Sequence, residues 1–171
     1  DKEAFNACLH PFIRNTVGSM EFGGCFLNKR LNRNNDGGTT RRTTDIFQLA
    51  TTVLFQNPVQ NFALAPNNLK DVSPVCMDYM KTIPTTWDET CFIDGYPGKY
   101  VVLARRHGGT WYVAAINAGK ETLKLKLDLE MFAGKTVSLY KDDKKGAPQL
   151  VPLKVKENGK VQLEILPQGG A

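Results

Sequence analysis

The sequence is poor in the side chains on which metal and nucleophilic sites usually depend, because its 171 residues include only two histidines and four cysteines. The cysteines stand far apart without a C-x-x-C pair, which argues against a zinc site and against a dense disulfide scaffold. Neither His10 nor His107 has a neighbouring Ser, Cys or Asp in the arrangement of a catalytic triad. We therefore expect His10 to pack, His107 to lie in solvent at a turn, and the thiols to be buried and free. The four thiols are Cys8, Cys25, Cys76 and Cys91.

Long hydrophobic runs are also missing, since no apolar stretch approaches the roughly 18 residues that would suggest a membrane span. The chain shows no basic and apolar leader ending in small residues, so a signal peptide is either absent or already removed. The first residue is Asp1 rather than methionine. This start favours a processed or excised segment over a natural one.

A dense basic stripe with interleaved aromatic side chains, the usual sign of nucleic-acid binding, is not found either. The net charge is +5 and the isoelectric point is near 9.0. The basic residues are spread over a polar loop, as at Arg41 and Arg42, and over the outer faces of strands, as at Lys124 and Lys126. We interpret them as solvated surface and predict no nucleic-acid partner.

What the first half does contain is one strongly amphipathic segment. The spacing of its apolar residues predicts a helix over residues 43–57 with one wide apolar face. Thr43 or Thr44 can cap the first amides, and Asn57-Pro58 stops the helix because the residue before proline avoids the α region. The apolar face comprises Ile46, Phe47, Leu49, Val53 and Leu54.

The segment SMEF, residues 19–22, reads as a short strand that precedes a long polar loop and this helix. Strand, long loop and amphipathic helix follow the order of one β/α unit. One unit cannot form a sheet or cover its own helix, so we expect the helix to pack against strands from outside this chain. A second helix is predicted from Ser73-Pro74, a cap followed by proline in the first turn.

The hydrophobic period changes near Pro84, after which the sequence alternates as strands do. Two hairpins are predicted, one turning at Gly108-Gly109 and one at Asn158-Gly159. About seven short strands in residues 84–171 indicate an antiparallel β-sandwich, which we expect to fold alone. The predicted fold class is an α+β fragment with a boundary between residues 83 and 84.

A polar loop offers a partial match to the calcium hand. Asn32, Asn34 and Asp36 fit its first ligand positions, but Thr43 stands where the bidentate glutamate belongs. The loop would therefore supply a nearly uncharged site beside arginines. A glycine-containing turn is the better interpretation.

Three other acids are candidates for chemistry. A pair of carboxylates beside an aromatic ring could serve as the acid and base of a glycosidase. Asp88 and Glu89, however, are adjacent on a predicted strand and point to opposite faces, so they cannot converge on one bond. A cap or a surface ion pair suits them better. Glu21 ends the short strand-like segment, where it would either contact a substrate or pair with Arg14.

Four segments, taken in order, form a more specific pattern: HPFIRNTVGSMEF, RRTTDIFQLATTVLFQNPVQ, IPTTWDET and GKYVVLARRHGGTWYVAAIN. Together they resemble the C-terminal part of glycoside hydrolase family 97, and the resemblance runs along nearly the whole chain. The sequence departs from the family's usual LPFTR at His10 and Ile13, where it reads HPFIR.

The resemblance implies an enzyme with an N-terminal β-sandwich, a central (β/α)8 barrel and a C-terminal antiparallel β-domain. Residues 1–83 would be the last β/α element of the barrel, and residues 84–171 the C-terminal domain. The family's catalytic acid and base, and the glutamates that bind its calcium, would lie upstream of Asp1. The resemblance thus assigns no catalytic or metal-binding residue here and leaves Glu21 as the one substrate-binding candidate.

The resemblance also implies a role. The chain would complete the barrel of an exo-acting α-glycoside hydrolase and supply a bracing β-domain through which copies can assemble. Its partners would be the upstream polypeptide and an α-linked oligosaccharide, its location the periplasm or another exported site, and the chain alone would be inactive. Two alternatives stay open: a scaffold domain without ligand, and a carbohydrate-binding sandwich whose stacking platform is Trp87, Trp111 or Tyr112. Since Trp111 and Tyr112 are adjacent on a strand, one of them should face the core.

Overall fold

The computed structural model describes residues 2–22, 24–30, 36–64 and 66–171. The helices are α1 (Glu3–Ala7), α2 (His10–Val17), α3 (Asp45–Leu54) and α4 (Pro74–Met80), with 3-10 segments at Pro66–Asp71 and Glu130–Phe132. The strands are β1 (Cys25–Phe26), β2 (Phe62–Ala63), β3 (Glu89–Tyr96), β4 (Tyr100–His107), β5 (Thr110–Asn117), β6 (Leu123–Asp128), β7 (Thr136–Asp142), β8 (Pro148–Lys154) and β9 (Lys160–Ile165). None of the helices in these ranges is long and apolar enough to cross a membrane.

The two predicted helices form where their caps place them. The Thr44 hydroxyl accepts a hydrogen bond of 3.1 Å from the Phe47 amide, so α3 begins at Asp45. The Ser73 hydroxyl accepts from the Val75 amide at the start of α4. Both helix predictions are confirmed, with α3 ending at Leu54 and not at residue 57.

The expectation that α3 packs against strands from outside this chain is wrong. Every residue from Ile46 to Leu54 is buried within the chain itself. One side of α3 packs on β4 and β5, where Phe47 shares one hydrophobic core with Val101 and Ile116. The other side packs on β1 and α4. The missing cover comes from the sheet of the second half, a contact that no local pattern in α3 can reveal.

The predicted strand at residues 19–22 does not form. The only main-chain hydrogen bond of this segment among the described residues runs from the Met20 amide to the Gln56 carbonyl, 2.9 Å. A strand needs a ladder on at least one side, and one bond does not supply it. The parallel pair of the first half is β1 with β2, and α3 lies between these strands in the sequence. The segment HPFIRNTV just before is helix α2.

The second half contains the expected seven antiparallel strands within residues 84–171, arranged as β3-β4-β5, β6-β9 and β7-β8. The hairpin at Gly108-Gly109 is confirmed by the pairing of β4 with β5. The prediction of a hairpin at Asn158-Gly159 is wrong, because β8 pairs with β7 and β9 pairs with β6. The chain does turn there, with the Gly159 amide bonded to the Lys156 carbonyl, but it leaves one sheet and enters another.

Both faces of the β3-β4-β5 sheet are covered. Alternation along β4 directs Val101 and Leu103 toward α3 and Val102 toward β6 and β9. Ala115 lies on the same side as Val102, against Leu125, Leu127, Val161 and Ile165. The second half is therefore a β-sandwich-like domain whose outer sheet face is closed by a helix of the first half. Whether residues 84–171 fold alone stays a prediction, and the loss of α3 would open that face.

Candidate functional site

Glu21, the substrate-binding candidate, lies exposed beside a cluster of rings. Among the described residues it makes no hydrogen bond or ion pair, and Arg14 is not its partner. The neighbouring Phe22 ring packs edge-on against Phe55 with 4.7 Å between centroids, and the His10 ring packs on the same Phe55 at 5.6 Å. Burial, followed by the charge of Arg14, holds the pKa of His10 below its usual value. The packing role of His10 is confirmed, and Glu21 offers an open carboxylate whose contact with a sugar stays a prediction.

Asp88 and Glu89 support the β4–β5 turn and do not form a catalytic pair. The Asp88 carboxylate accepts a 2.7 Å hydrogen bond from the Gly108 amide, and Glu89 accepts one of 3.2 Å from Arg106. Arg106 also lies 3.7 Å from Asp88. The surface ion pair predicted for these residues is confirmed, as is the exposed position of His107 at the turn.

The residues described by the structure offer no metal centre. They contain no group of three or more His, Cys, Asp or Glu side chains that could hold an ion. Asn32 and Asn34 of the calcium-like loop lie outside the described residues. The four cysteines are free, and three of them are buried. Burial raises the pKa of the Cys8 and Cys76 thiols to about 12, so these sulfurs stay protonated and unreactive.

The three proposed platform aromatics are all half-buried. Tyr112 packs edge-on against Trp87 with 5.4 Å between centroids, on the α3 side of the sheet. Trp111 faces the opposite side, as its position next to Tyr112 requires, and the Arg106 guanidinium lies 6.0 Å from its ring centroid. Trp111 also lines a cavity of about 460 Å³ between α3, β5 and β7. None of the three offers the exposed flat ring that the carbohydrate-binding alternative requires.

A buried arginine of the second half contacts the C-terminal end of α3. Arg105 is only 3% exposed, and its guanidinium donates a 3.2 Å hydrogen bond to the carbonyl of Leu54, the last helical residue. The guanidinium also lies 6.0 Å from the Trp87 ring centroid. Burial lowers the pKa of Arg105 to about 10, so it stays charged at neutral pH. A cation at this end of a helix is favoured by the helix dipole.

A buried aspartate of the second half contacts the opposite end of α3. Asp142 is 6% exposed, and one carboxyl oxygen accepts hydrogen bonds from the Thr44 hydroxyl at 2.8 Å and the Gly170 amide at 3.2 Å. Thr44 is the residue that caps α3, and its own amide bonds to the Gln168 carbonyl at 3.0 Å. The helix is thus held at its N-terminus by an acid and at its C-terminus by a cation, both from residues 84–171. We call Arg105 and Asp142 the α3 clamp.

The sequence pattern did not lead us to either residue of the α3 clamp. Arg105 does carry a readable signal, because it occupies the same inward register of β4 as Val101 and Leu103. A charged residue at an apolar position calls for a buried partner. Asp142 carries no such signal, since it stands in the run KDDKKG, which reads as a polar turn.

Replacing Asp142 should change how stability depends on pH. Burial raises the pKa of this carboxyl from 3.8 to about 6, against the lowering effect of its hydrogen bonds. The native state therefore holds the proton more tightly than the unfolded chain, and the stability this gives is lost as pH rises through about 6. We expect Asp142→Asn to match the parent chain near pH 4 and to exceed its unfolding free energy at pH 8 by up to about 3 kcal/mol.

Urea unfolding across that pH range measures the difference between variant and parent. Asp78→Asn, at an exposed ion pair with Lys81, serves as the control and should leave the profile unchanged. A gap between Asp142→Asn and the parent that stays constant from pH 4 to pH 8 would contradict the assignment.

The chain's last residues lie against the main chain of α3. A methyl group added at Gly170 would stand 2.8 Å from the Ile46 carbonyl oxygen and 2.9 Å from the Phe47 Cα. Main-chain atoms cannot move aside as a side chain can, so we expect Gly170→Ala to lower the free energy of unfolding by about 1–3 kcal/mol. Thermal unfolding measures the loss, with Gly109→Ala as control because no described heavy atom lies within 4 Å of the added carbon. Equal melting temperatures for the two variants would refute the close contact.

Comparison with known proteins places this arrangement in a family. A family model described as glycosyl-hydrolase 97 C-terminal, oligomerisation, matches residues 86–171. A probable retaining alpha-galactosidase of Streptomyces bingchenggensis is 34% identical over 111 residues, which are 64% of this chain and 16% of that protein. A retaining alpha-galactosidase of Bacteroides thetaiotaomicron is 29% identical over 175 residues, which are 94% of this chain and 25% of that protein.

Solved structures share the fold of this chain. A crystal structure of a beta-arabinopyranosidase is 86% identical, with a TM-score of 0.96, and the match covers 99% of this chain and 27% of that one. A glycoside hydrolase family 97 enzyme from Pseudoalteromonas sp. strain K8 shares the fold at 21% identity, with a TM-score of 0.78 over 98% of this chain and 28% of that one. The chain spans about a quarter or less of the length of the curated relatives it matches. The chain belongs to glycoside hydrolase family 97 and corresponds to the C-terminal part of an enzyme of that family.

Proposed function

We propose that this chain completes the (β/α)8 barrel of an exo-acting glycosidase with residues 1–83 and braces that barrel with residues 84–171. The observation that carries the proposal is the α3 clamp, through which the second half holds both ends of a helix of the first half. The parallel pair β1-β2, with α3 between its strands in the sequence, is the connection expected of a β/α barrel.

The bracing role follows from the shared core. α3 is buried on one side by the β4 and β5 residues Val101 and Ile116 and on the other by β1 and α4. A barrel helix fixed in this way cannot move without the β-domain. The description of the matched family model includes oligomerisation. We therefore propose that the β-domain also carries contacts between copies of the enzyme.

The substrate of the whole enzyme is proposed from its relatives. The 86% identical structure is that of a beta-arabinopyranosidase, and two more distant relatives are named as retaining alpha-galactosidases. L-Arabinopyranose has the ring hydroxyl configuration of D-galactopyranose without its hydroxymethyl group, and a β-L-arabinopyranoside matches an α-D-galactoside at C1. We propose that the enzyme removes terminal β-L-arabinopyranosyl units and, more slowly, α-galactosyl units from oligosaccharides.

The chemistry of that reaction is proposed to lie upstream. Glycosidic cleavage needs an acid and a second carboxylate on either side of one bond, and Asp88 and Glu89 are engaged at a turn. Calcium, implied by the family likeness, finds no fitting ligand set among the described residues, so we place its ligands in the preceding polypeptide. Glu21, exposed and unbonded among the described residues, is proposed to shape the edge of the sugar site. An exported location is proposed on the family likeness alone.

The chain by itself should therefore hydrolyse no glycoside. The assay uses nitrophenyl β-L-arabinopyranoside and nitrophenyl α-galactoside, each with and without calcium, and background rates are expected throughout. Adding calcium should change nothing, because no described residues can bind it as a cluster. Turnover that survives repurification and disappears in Glu21→Gln would place a catalytic site in this chain and overturn the proposal.

A further inference from the structure

A second cleft, on the outer side of the β-domain, has four lysines among its nine lining residues. It measures about 620 Å³ and opens between β6, β9 and β8. The residues that line it are Lys126, Leu127, Asp128, Leu153, Lys154, Lys156, Lys160, Val161 and Gln162. We call this the basic cleft. Its four lysines and one aspartate carry a formal +3, more than half of the chain's net charge of +5.

The ammonium groups of the basic cleft have no ion-pair partners among the described residues. Elsewhere on the same sheet, Lys124 pairs with Glu164 at 3.6 Å, which shows the usual local arrangement. The four cleft lysines are exposed and make no comparable contact. Two further acids lie at nearby turns, Glu130 next to Gly159 and Glu157 against Gly134. An unneutralised cluster of like charges costs stability through self-repulsion, so an anion in the cleft would relieve it.

The cleft lies away from the first half of the chain. Alternation along β6 and β9 buries Leu127 and Val161 in the core and turns Lys126 and Lys160 outward. None of the lining residues belongs to residues 1–83. The first half of this chain therefore takes no part in lining the basic cleft.

We propose that the basic cleft binds a carboxylate-bearing polysaccharide, a polymer that contains uronic acid units. Lysine ammonium groups bind carboxylates as compact point charges on flexible stems, which suits a polymer presenting one charge per sugar. Nucleic acid is a poorer match, because no lining residue is aromatic and bases have nothing to stack on. The chain belongs to a family that acts on glycosides, so the cleft would hold the enzyme on a polymer near its reacting ends.

The experiment measures binding of polygalacturonate to the full chain by calorimetry at low and at physiological salt. In the test variant, Lys126, Lys154, Lys156 and Lys160 are all changed to Gln. The matched control changes four exposed lysines outside the cleft to Gln: Lys29, Lys70, Lys120 and Lys144. Both variants lose four charges, and equal melting temperatures verify that both fold.

The parent chain should bind polygalacturonate, with affinity that falls as salt rises. The cleft variant should lose at least about tenfold in affinity, and the control variant less than about threefold, because both lose the same long-range attraction and only the cleft variant also loses the contacts within the cleft. Equal losses in the two variants, equal binding of a neutral galactan, tighter binding of single-stranded DNA of matched length, or no binding by the parent chain would each overturn the proposal. These outcomes are independent of whether the enzyme's barrel assembles.

Discussion

Replacing Phe47 by alanine is expected to lower the free energy of unfolding by about 3–5 kcal/mol. Phe47 is fully buried, with 0% exposure, at the centre of the core that α3 shares with β4 and β5. The same core contains Val101 and Ile116 from the second half. Removing the ring loses the favourable free energy of transferring it from water into the core. It also leaves a cavity that two separate elements would have to close.

The measurement is urea unfolding followed by two probes, far-ultraviolet circular dichroism for the helices and tryptophan fluorescence for the β-domain. Both tryptophans lie in residues 84–171, so the probes report on different halves. The two transitions should coincide in the parent chain and shift together in Phe47→Ala. Phe92→Ala is the control, since that ring is 59% exposed, and it should cost less than about 1 kcal/mol. If Phe47→Ala left the urea midpoint of the fluorescence transition unchanged, the two halves would fold independently.

Local signals predicted the elements well. The caps predicted where α3 and α4 begin, because the Thr44 and Ser73 hydroxyls accept hydrogen bonds from amides of the first helical turn. The stop signal at Asn57-Pro58 was less accurate, since α3 ends at Leu54. The turn at Gly108-Gly109 formed its hairpin because both of its strands continue into one sheet. These signals act over a few residues, and sequence carries them directly.

Pairing between distant segments was less predictable. Asn158-Gly159 has the local chemistry of a hairpin, yet β8 and β9 pair with β7 and β6. Turn chemistry reverses the chain but does not decide which strand lies alongside. The segment at residues 19–22 has strand-like residues but gains one main-chain bond among the described residues, so it forms no strand.

The α3 clamp and the basic cleft were missed for a related reason. Asp142 and Gly170 are 28 residues apart, and Arg105 is 51 residues from Leu54, the residue it binds. Three of the cleft lysines lie on β6, β8 and β9, which alternate as ordinary half-exposed strands do, and Lys156 lies in the turn between β8 and β9. Only the folded arrangement shows that these separate lysines line one cleft.

The central claim, that this chain completes and braces a family 97 barrel, is tested most directly by complementation. The beta-arabinopyranosidase that is 86% identical to this chain would be truncated to remove the matching segment, which is 27% of that chain. The truncated enzyme would then be co-expressed with the present chain and assayed on nitrophenyl β-L-arabinopyranoside. Alone it should be inactive, since its barrel would lack a β/α element, including the counterpart of α3, and the β-domain that clamps that helix.

Co-expression with the full chain should restore activity from background to a substantial fraction of the intact enzyme. Residues 84–171 alone should not, because the β-domain without α3 has nothing to return to the barrel. The variant Glu21→Gln should still assemble with the truncated enzyme. Any loss of activity in that complex would then come from the missing sugar contact and not from failed assembly. Full activity of the truncated enzyme without any partner, or equal rescue by residues 84–171 alone, would contradict the claim that residues 1–83 complete the barrel.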